Sequence, residues 1–401
     1  MIDYISKEPI VKGWSVDKKY CVTVADGTKY LLRVSPMEQY DRKKNEFHMM
    51  QRVSALGVPM CQPIEFGTCD EGVYSLQSWI DGGDAEQVIS ALGENEQYAY
   101  GVRAGRILRL IHTLPAPDGI DVWETRFNKK VDRKLAMYES CPIKYENGQA
   151  FIDYINANRH LLKNRPQCYQ HGDYHIGNMM IDRDGILRII DFDRYDFGDP
   201  WEEFNRIVWC AQKVPLFASG MTDGYFDGDI PQLFWRLLAF YIASNTLSSV
   251  PWAIPFGQKE IDTMVNQAKE VLVWYDNMKN PVPSWYKPAS LCFCGQDCSR
   301  CLTYLATVNN DDEFRLKSRR FYRDEFNLDI PLDKLHCLGG RSEDVFCLCK
   351  DCPWMKCAKE KGLSACSECA EYPCKPLADY REKYVNKCNQ IQRRTKNDFI
   401  R

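Results

Sequence analysis

HGDYHIGNMMIDRDGILRIIDFD, residues 171 to 193, sets His171, Asp173, His175 and Asn178 close together and ends on Asp191 and Asp193. Between the two groups runs a short hairpin turned at Asp184-Gly185, a dipeptide suited to the positive φ of a tight turn. The residue types say what such a cluster can hold. A general base for a hydroxyl nucleophile wants a carboxylate on a firmly held loop. A divalent cation bridging phosphates wants hard oxygen ligands, a carboxylate together with an amide carbonyl. Asp173 suits the first task, and Asn178 and Asp191 suit the second. His171 reads as a brace for the loop.

The sequence upstream reads as strands and then as helices. YCVTVADGTKYLLRVS (residues 20–35) is two β-prone runs around Asp26-Gly27, a strong hairpin signal. Before it, VKGWSVDKKY supplies a polar turn from Gly13, and after it DRKKNEFHMMQRVSALG has helical spacing with Gly57 as the stop. VYSLQSWI is a further strand, followed by Asp81-Gly82-Gly83, read as a hinge. Beyond the hinge, apolar faces at helical spacing recur in residues 94–114, 151–162, 201–214, 232–247 and 261–278. The pattern predicts an α+β chain with a small β-rich N-terminal lobe (1–80) and a helical lobe with the loop (81–287). A small cysteine-rich domain (288–380) and a basic tail (381–401) follow, entered through the Pro-rich NPVPSWYKPAS.

HGDxHxxN followed by IDFD resembles the aminoglycoside phosphotransferase and choline kinase group, which has a two-lobed protein-kinase-like fold. The resemblance implies magnesium-dependent transfer of the γ-phosphoryl group of ATP or GTP to a hydroxyl of an aminoglycoside-, choline- or sugar-like small molecule. Asp173 would accept the hydroxyl proton, and Asn178 and Asp191 would hold Mg2+. The family's basic residue on the third strand and its helix carboxylate fall on Arg33 and Glu46. Arg33 stands where protein kinases carry lysine, and its planar fork bonds two oxygens at once. The loop over the phosphates falls on KGWSVDKKY with Ser15, and the connector that reads the base falls on Gln77 to Ile80, with Ser78 and Ile80 as contacts. Past the metal aspartate, Asp193, Asp196 and Glu202 would suit a cationic acceptor. That acidic run, with Asp199 and Glu203, also reads as the start of a helix.

The 19 cysteines divide the chain. Cys21, Cys61, Cys69, Cys141, Cys168 and Cys210 are scattered and read as buried thiols. The rest crowd between Cys292 and Cys388. MIDYISKEPI has no signal-peptide core and no apolar run reads as a membrane span, so the expected setting is cytoplasmic and the crowding means metal more than disulfides. Candidate ligands are Cys294, Cys298, Cys301, Cys337, Cys347, Cys349, Cys352, Cys357, Cys366, Cys369 and Cys374, with His336 beside them. They would hold structural Zn2+, with an iron–sulfur cluster or free thiols as alternatives. The segment resembles an uncharacterised bacterial cysteine-rich domain. A second reading of the whole chain is a kinase-like binding or regulatory protein whose cysteine-rich part recruits a protein or RNA. The net charge of -3 argues against a nucleic-acid binder working through bulk positive charge.

Overall fold

A computed structural model describes residues 2–11, 17–226, 230–287, 292–294, 296, 298, 301–340, 342, 344–361, 366, 369–380 and 382. The chain is α+β and separates into two compact units. One comprises Met1–Ala91, Arg106–Val214 and Pro231–Ser284; the other comprises Leu92–Gly105, Pro215–Ile230 and Trp285–Arg401.

In the first unit a five-stranded antiparallel sheet has the order β1-β2-β3-β5-β4, with β1 at Ser6–Pro9, β2 at Lys18–Thr23, β3 at Lys29–Ser35, β4 at Pro63–Cys69 and β5 at Gly72–Ser78. The β2–β3 turn closes on Gly27 at φ +86°. Alternation along β3 turns Leu32 and Val34 into an apolar cluster with Val22, Tyr74 and Leu76. It therefore turns Arg33 and Ser35 to the opposite face. Helix α1, Tyr40–Ala55, packs on β4 and β5 and buries Lys43 and Glu46. It ends two residues before Gly57, which follows the capping Leu56 with φ +80° as the expected stop.

The glycines read as a hinge are part of a sheet. Gly82–Asp84 forms β6, which pairs antiparallel with β8 (Met179–Asp182), itself paired with β9 (Leu187–Ile189). A Cβ on Gly82 would lie 2.1 Å from the Ile181 carbonyl oxygen, so glycine is what permits the approach. The segment after the small lobe is thereby tied to the hairpin behind residues 171–178. β7 (Cys168–Gln170) leads into that loop and pairs with β10 (Asp196–Gly198), which follows it.

The helical part of this unit is built around the helix Gln232–Ala253, against which Trp123–Ser140 and Gln149–Asn158 pack. Contrary to the sequence reading, residues 232–256 are long and apolar enough to cross a membrane, but 67% of the most apolar window is buried inside the protein. It is a core helix. The stretch 201–214, expected as one helix, is a 3-10 turn at Glu202–Arg206 followed by the α-helix Ile207–Lys213.

The second unit holds the cysteine-rich part, and it also takes residues 92–105 and 215–230, which had been expected in the helical lobe. Small residues explain the pairing of these two segments. A Cβ on Gly101 would lie 2.2 Å from the Phe217 carbonyl, and one on Gly220 would lie 2.2 Å from that of Tyr98. Tyr98, Ala99 and Val102 share a core with Cys298, Tyr304 and Val308.

Candidate active site

The loop after β7 is held rigidly. Gly172 has φ +87°, and a Cβ there would fall 1.8 Å from the Arg194 carbonyl oxygen, so no side chain fits. His171 is fully buried, with Nδ1 accepting the Asp173 backbone N–H at 3.3 Å and Nε2 lying 3.0 Å from the Ile190 carbonyl. An accepting Nδ1 assigns the proton to Nε2, which then donates to Ile190. Glu203, only 2% exposed, accepts the Gly172 N–H at 3.0 and 3.1 Å and the Tyr174 N–H at 3.4 Å. In the sequence Glu203 reads as part of an acidic run; its partners make it a clamp on the loop.

Asn178 donates from Nδ2 to the Asp173 carbonyl at 2.9 Å, which leaves its amide oxygen without a partner among the described residues. The Asp173 carboxylate lies in charge contact with Arg206, Nε to Oδ1 3.2 Å, and with Arg194, Nη1 to Oδ2 3.7 Å. His175 Nε2 is 3.8 Å from Asp173 Oδ1. Burial pushes the His175 pKa down to about 4 against the pull of Asp173, with the Arg206 charge adding to burial, so the ring is neutral near pH 7.

Asp191 follows β9 with φ +67°, a left-handed conformation that costs a non-glycine residue about 1–2 kcal/mol. Its Oδ1 accepts from Arg33 Nη1 at 2.8 Å, and Asp193 Oδ2 accepts from Arg33 Nη2 at 3.0 Å. The same guanidinium, 4% exposed, donates to Asp17 Oδ2 from Nε at 3.3 Å and from Nη2 at 3.1 Å. Asp17 also accepts from Lys43 Nζ at 2.7 Å and from Ser35 Oγ at 2.7 Å. Burial alone would raise the Asp17 carboxyl, yet the Lys43 hydrogen bond and the Arg33 charge hold it down to about 2. At Asp191 burial again favours the neutral acid, and Arg33 overrides it and keeps the pKa below the ordinary carboxylate range.

Glu46 was expected as the partner of Arg33. Its carboxylate instead accepts from Lys43 at 3.0 Å, three residues earlier on α1, and Arg33 turns to three aspartates. Burial raises the Glu46 pKa in spite of Lys43. Asp17 and Lys43 were not singled out from the sequence, though the i,i+3 spacing of Lys43 and Glu46 was a usable signal. Ser78 exchanges bonds with Gln62, from Ser78 N to the Gln62 carbonyl at 2.9 Å and from Gln62 N to Ser78 Oγ at 2.8 Å. Ile80 is half-buried just past β5, and Ser15 lies outside the described residues.

The acidic run is committed within the chain. Asp193 sits in the Arg33 fork. Asp196 Oδ1 accepts the Phe197 N–H at 2.7 Å and lies 3.4 Å from Arg126 Nη2. Asp199, fully buried, takes Arg165 bidentately at 2.6 and 2.8 Å and the Tyr241 hydroxyl at 2.6 Å. Glu202 is buried with Lys130 at 3.1 Å and Gln170 Nε2 at 3.1 Å.

With this geometry in view, residues 7–234 match the phosphotransferase enzyme family. The chain belongs to that family. Among solved structures it is similar to an aminoglycoside 2'-phosphotransferase-IIIa mutant bound to GDP, at 13% identity and a TM-score of 0.53, covering 70% of this chain and 95% of that one. It is also similar to a thermostable aminoglycoside phosphotransferase APH(4)-Ia with ADP and hygromycin B, at 15% identity, TM-score 0.50, covering 67% and 94%. A third is an amicoumacin kinase with AMP-PNP, Ca2+ and Ami, at 12% identity, TM-score 0.50, covering 69% and 90%. At these identities the likeness is one of fold. No curated protein gives a match. Residues 290–379 match a domain family of unknown function.

In that last segment of the phosphotransferase-family chain the thiols sort into two cavities. One, of about 200 Å³, is lined by Cys292, Cys294, Cys349 and Cys352; the other, of about 80 Å³, by Cys357, Cys366, Cys369 and Cys374. Cys292 is not among the ligands expected from the sequence, yet its Sγ lies 3.0 Å from that of Cys298. Cys298 and Cys337 are buried and accept backbone N–H groups from Gly340 and Gly339, Cys301 is half-buried, and Cys347 is exposed. His336 pairs with Asp344 at 2.8 Å, away from any thiol partner. Among the described residues no three His, Cys, Asp or Glu side chains converge closely enough to hold an ion, and every described cysteine is a free thiol.

Proposed function

We propose that the chain is a magnesium-dependent kinase that moves the γ-phosphoryl group of ATP or GTP to an alcohol group of a small molecule. The observation that supports this reading is the placement of Asp173 and Asn178 on one braced loop, whose Asn178 carbonyl accepts the N–H of Ile190 just before Asp191 at 3.1 Å, with the Asn178 amide oxygen uncommitted among the described residues. Asp173 is the base for the acceptor hydroxyl. The donor set suits magnesium, since an amide oxygen and the Asp191 carboxylate are hard ligands at a place where a cation, the Arg33 guanidinium, already sits. Magnesium there neutralises charge on the nucleotide phosphates. Arg33 is the basic residue of the nucleotide side, Glu46 supports it through Lys43 and Asp17, and Ser15, Ser78 and Ile80 are nucleotide contacts by their position. The test is magnesium-dependent release of ADP or GDP across a panel of aminoglycosides, amino alcohols, hydroxy acids and sugars. Acceptor-dependent release, abolished by chelation and restored by magnesium, is expected. No release together with no magnesium-dependent nucleotide binding would favour the binding-protein reading.

For the cysteine-rich part we infer structural zinc, supported by four thiols on each of the two cavities, the ligand number and type of a tetrahedral site. These thiols would be the zinc ligands, and ligation would then contribute to folding. Free thiols throughout the described residues suit a reducing, cytoplasmic setting. Metal analysis of the purified chain is expected to give about one zinc per cavity, and Cys366→Ser to lose one of them. A chain that carries no metal and whose thermal midpoint ignores a strong chelator would overturn the assignment.

A further inference from the structure

We propose that the acceptor bears an anionic group, a carboxylate or a phosphate, near the hydroxyl that is phosphorylated, and that Arg206 and Arg194 bind it. The inference rests on the kinase reading above, with Asp173 as the base.

Arg206 ends the 3-10 turn Glu202–Arg206. Its Nε is buried and 3.2 Å from Asp173 Oδ1, without the alignment of a hydrogen bond. Its two terminal nitrogens have no hydrogen-bond partner among the described residues. Arg194 approaches the other oxygen, Oδ2, at 3.7 Å, and its side chain is 48% exposed. Its backbone is anchored, because the Arg194 carbonyl fills the space over Gly172. Each carboxylate oxygen of the base therefore faces a guanidinium with donors to spare. A hydroxyl that reaches Asp173 brings its neighbouring atoms within range of both forks. Paired N–H donors in that planar geometry match carboxylate and phosphate oxygens. An acceptor anion would exchange with Asp173 as the partner of the guanidinium groups and leave the carboxylate to the hydroxyl. In the transfer the hydroxyl proton passes to Asp173, the new O–P bond forms, and the nucleoside diphosphate leaves with the electrons of the broken O–P bond.

The surrounding charges point the same way. Asp193, Asp199 and Glu202 are held by Arg33, Arg165 and Lys130, Glu203 is buried on the loop backbone, and the half-exposed Asp196 lies 3.4 Å from Arg126. Lys213 is 3.5 Å from Glu86. A polycationic acceptor would thus meet two guanidinium groups at the base and a run of carboxylates mostly taken.

The test is calorimetric titration of the full chain, with magnesium and AMP-PNP present, by glycerate and by glycerol 3-phosphate against glycerol and choline. At least one anion is expected to bind about tenfold or more tighter than glycerol, with choline no better than glycerol. The two anion arms separate carboxylate from phosphate recognition. Arg206→Gln, and independently the half-exposed Arg194→Gln, should weaken the anion by roughly tenfold to a hundredfold and leave AMP-PNP and glycerol unchanged. Arg206→Lys should recover part of the loss. The proposal is overturned if neither anion outbinds glycerol, or if the arginine variants weaken AMP-PNP instead, which would put the forks on the nucleotide. The anion titrations are repeated without nucleotide. A failure of AMP-PNP to bind would then sink the kinase reading while the anion result still decides this one.

Discussion

Replacement of Asp173 by asparagine is expected to lower turnover by about 10²–10⁴-fold while the affinity for magnesium-nucleotide stays as in the wild type. The amide is nearly isosteric, so the loop that Glu203, His171 and Gly172 hold in place has no reason to move. What it cannot do is take the hydroxyl proton. The charge contacts of Asp173 with Arg194 and Arg206 are lost too, but they are long or poorly aligned, so little folding stability goes with them. Asp191→Asn should behave in the opposite way, because its carboxylate faces the cation seat: nucleotide binding weakens first. Single-turnover kinetics and nucleotide titration on both variants separate the two roles. Full activity in Asp173→Asn would remove it as the base, and equal loss of nucleotide affinity in both would mean that they act as one metal site.

Much of this site was legible because it is local. Asp173 and Asn178 lie on one loop and Asp191 returns after a hairpin whose turn is written in Asp184-Gly185. The small lobe was legible for the same reason, through the β2–β3 hairpin and α1. What escaped depends on tertiary choice. Arg33 has four carboxylates in its electrostatic surroundings, and only packing decides that it bonds Asp17, Asp191 and Asp193 while Glu46 goes to Lys43. Gly82 and Gly83 read as a hinge because glycine is equally good for freedom and for close approach, and the second applies here. The helix Trp123–Ser140 was missed because its buried face, Trp123, Phe127, Val131, Lys134 and Tyr138, includes a lysine. Burial pushes that lysine's pKa down to about 7, with the neighbouring Lys130 charge adding to it. A charged residue at a core position breaks the apolar period that the eye follows. The grouping of the thiols was illegible too, since C-x2-C spacing identifies pairs and not which pairs share a cavity.

Arg33→Met is expected to cost the first unit about 3–5 kcal/mol, the usual penalty for removing one partner of a buried ionic cluster. Methionine fills much of the volume, but it removes the fork that joins Asp17, Asp191 and Asp193 and leaves these carboxylates facing one another, with Lys43 still bonded to Asp17. Arg33→Lys keeps the charge and loses the fork. One ammonium cannot span three carboxylates, so an intermediate loss is expected. The urea midpoint of the transition reads both. The informative arm is magnesium. In the wild type the guanidinium occupies the face of Asp191 and Asp193 that a metal would want, so magnesium alone should stabilise the chain little. In Arg33→Met the two carboxylates are free, and magnesium should raise the midpoint by mass action on the folded state. A variant with an unchanged midpoint would mean that the network contributes nothing to stability. A destabilised variant that ignores magnesium would mean that Asp191 and Asp193 do not form a cation seat. If magnesium rescues it, Asp191 and Asp193 are a cation seat that the Arg33 guanidinium covers in this structure, while its Nε and Nη2 keep their bonds to Asp17.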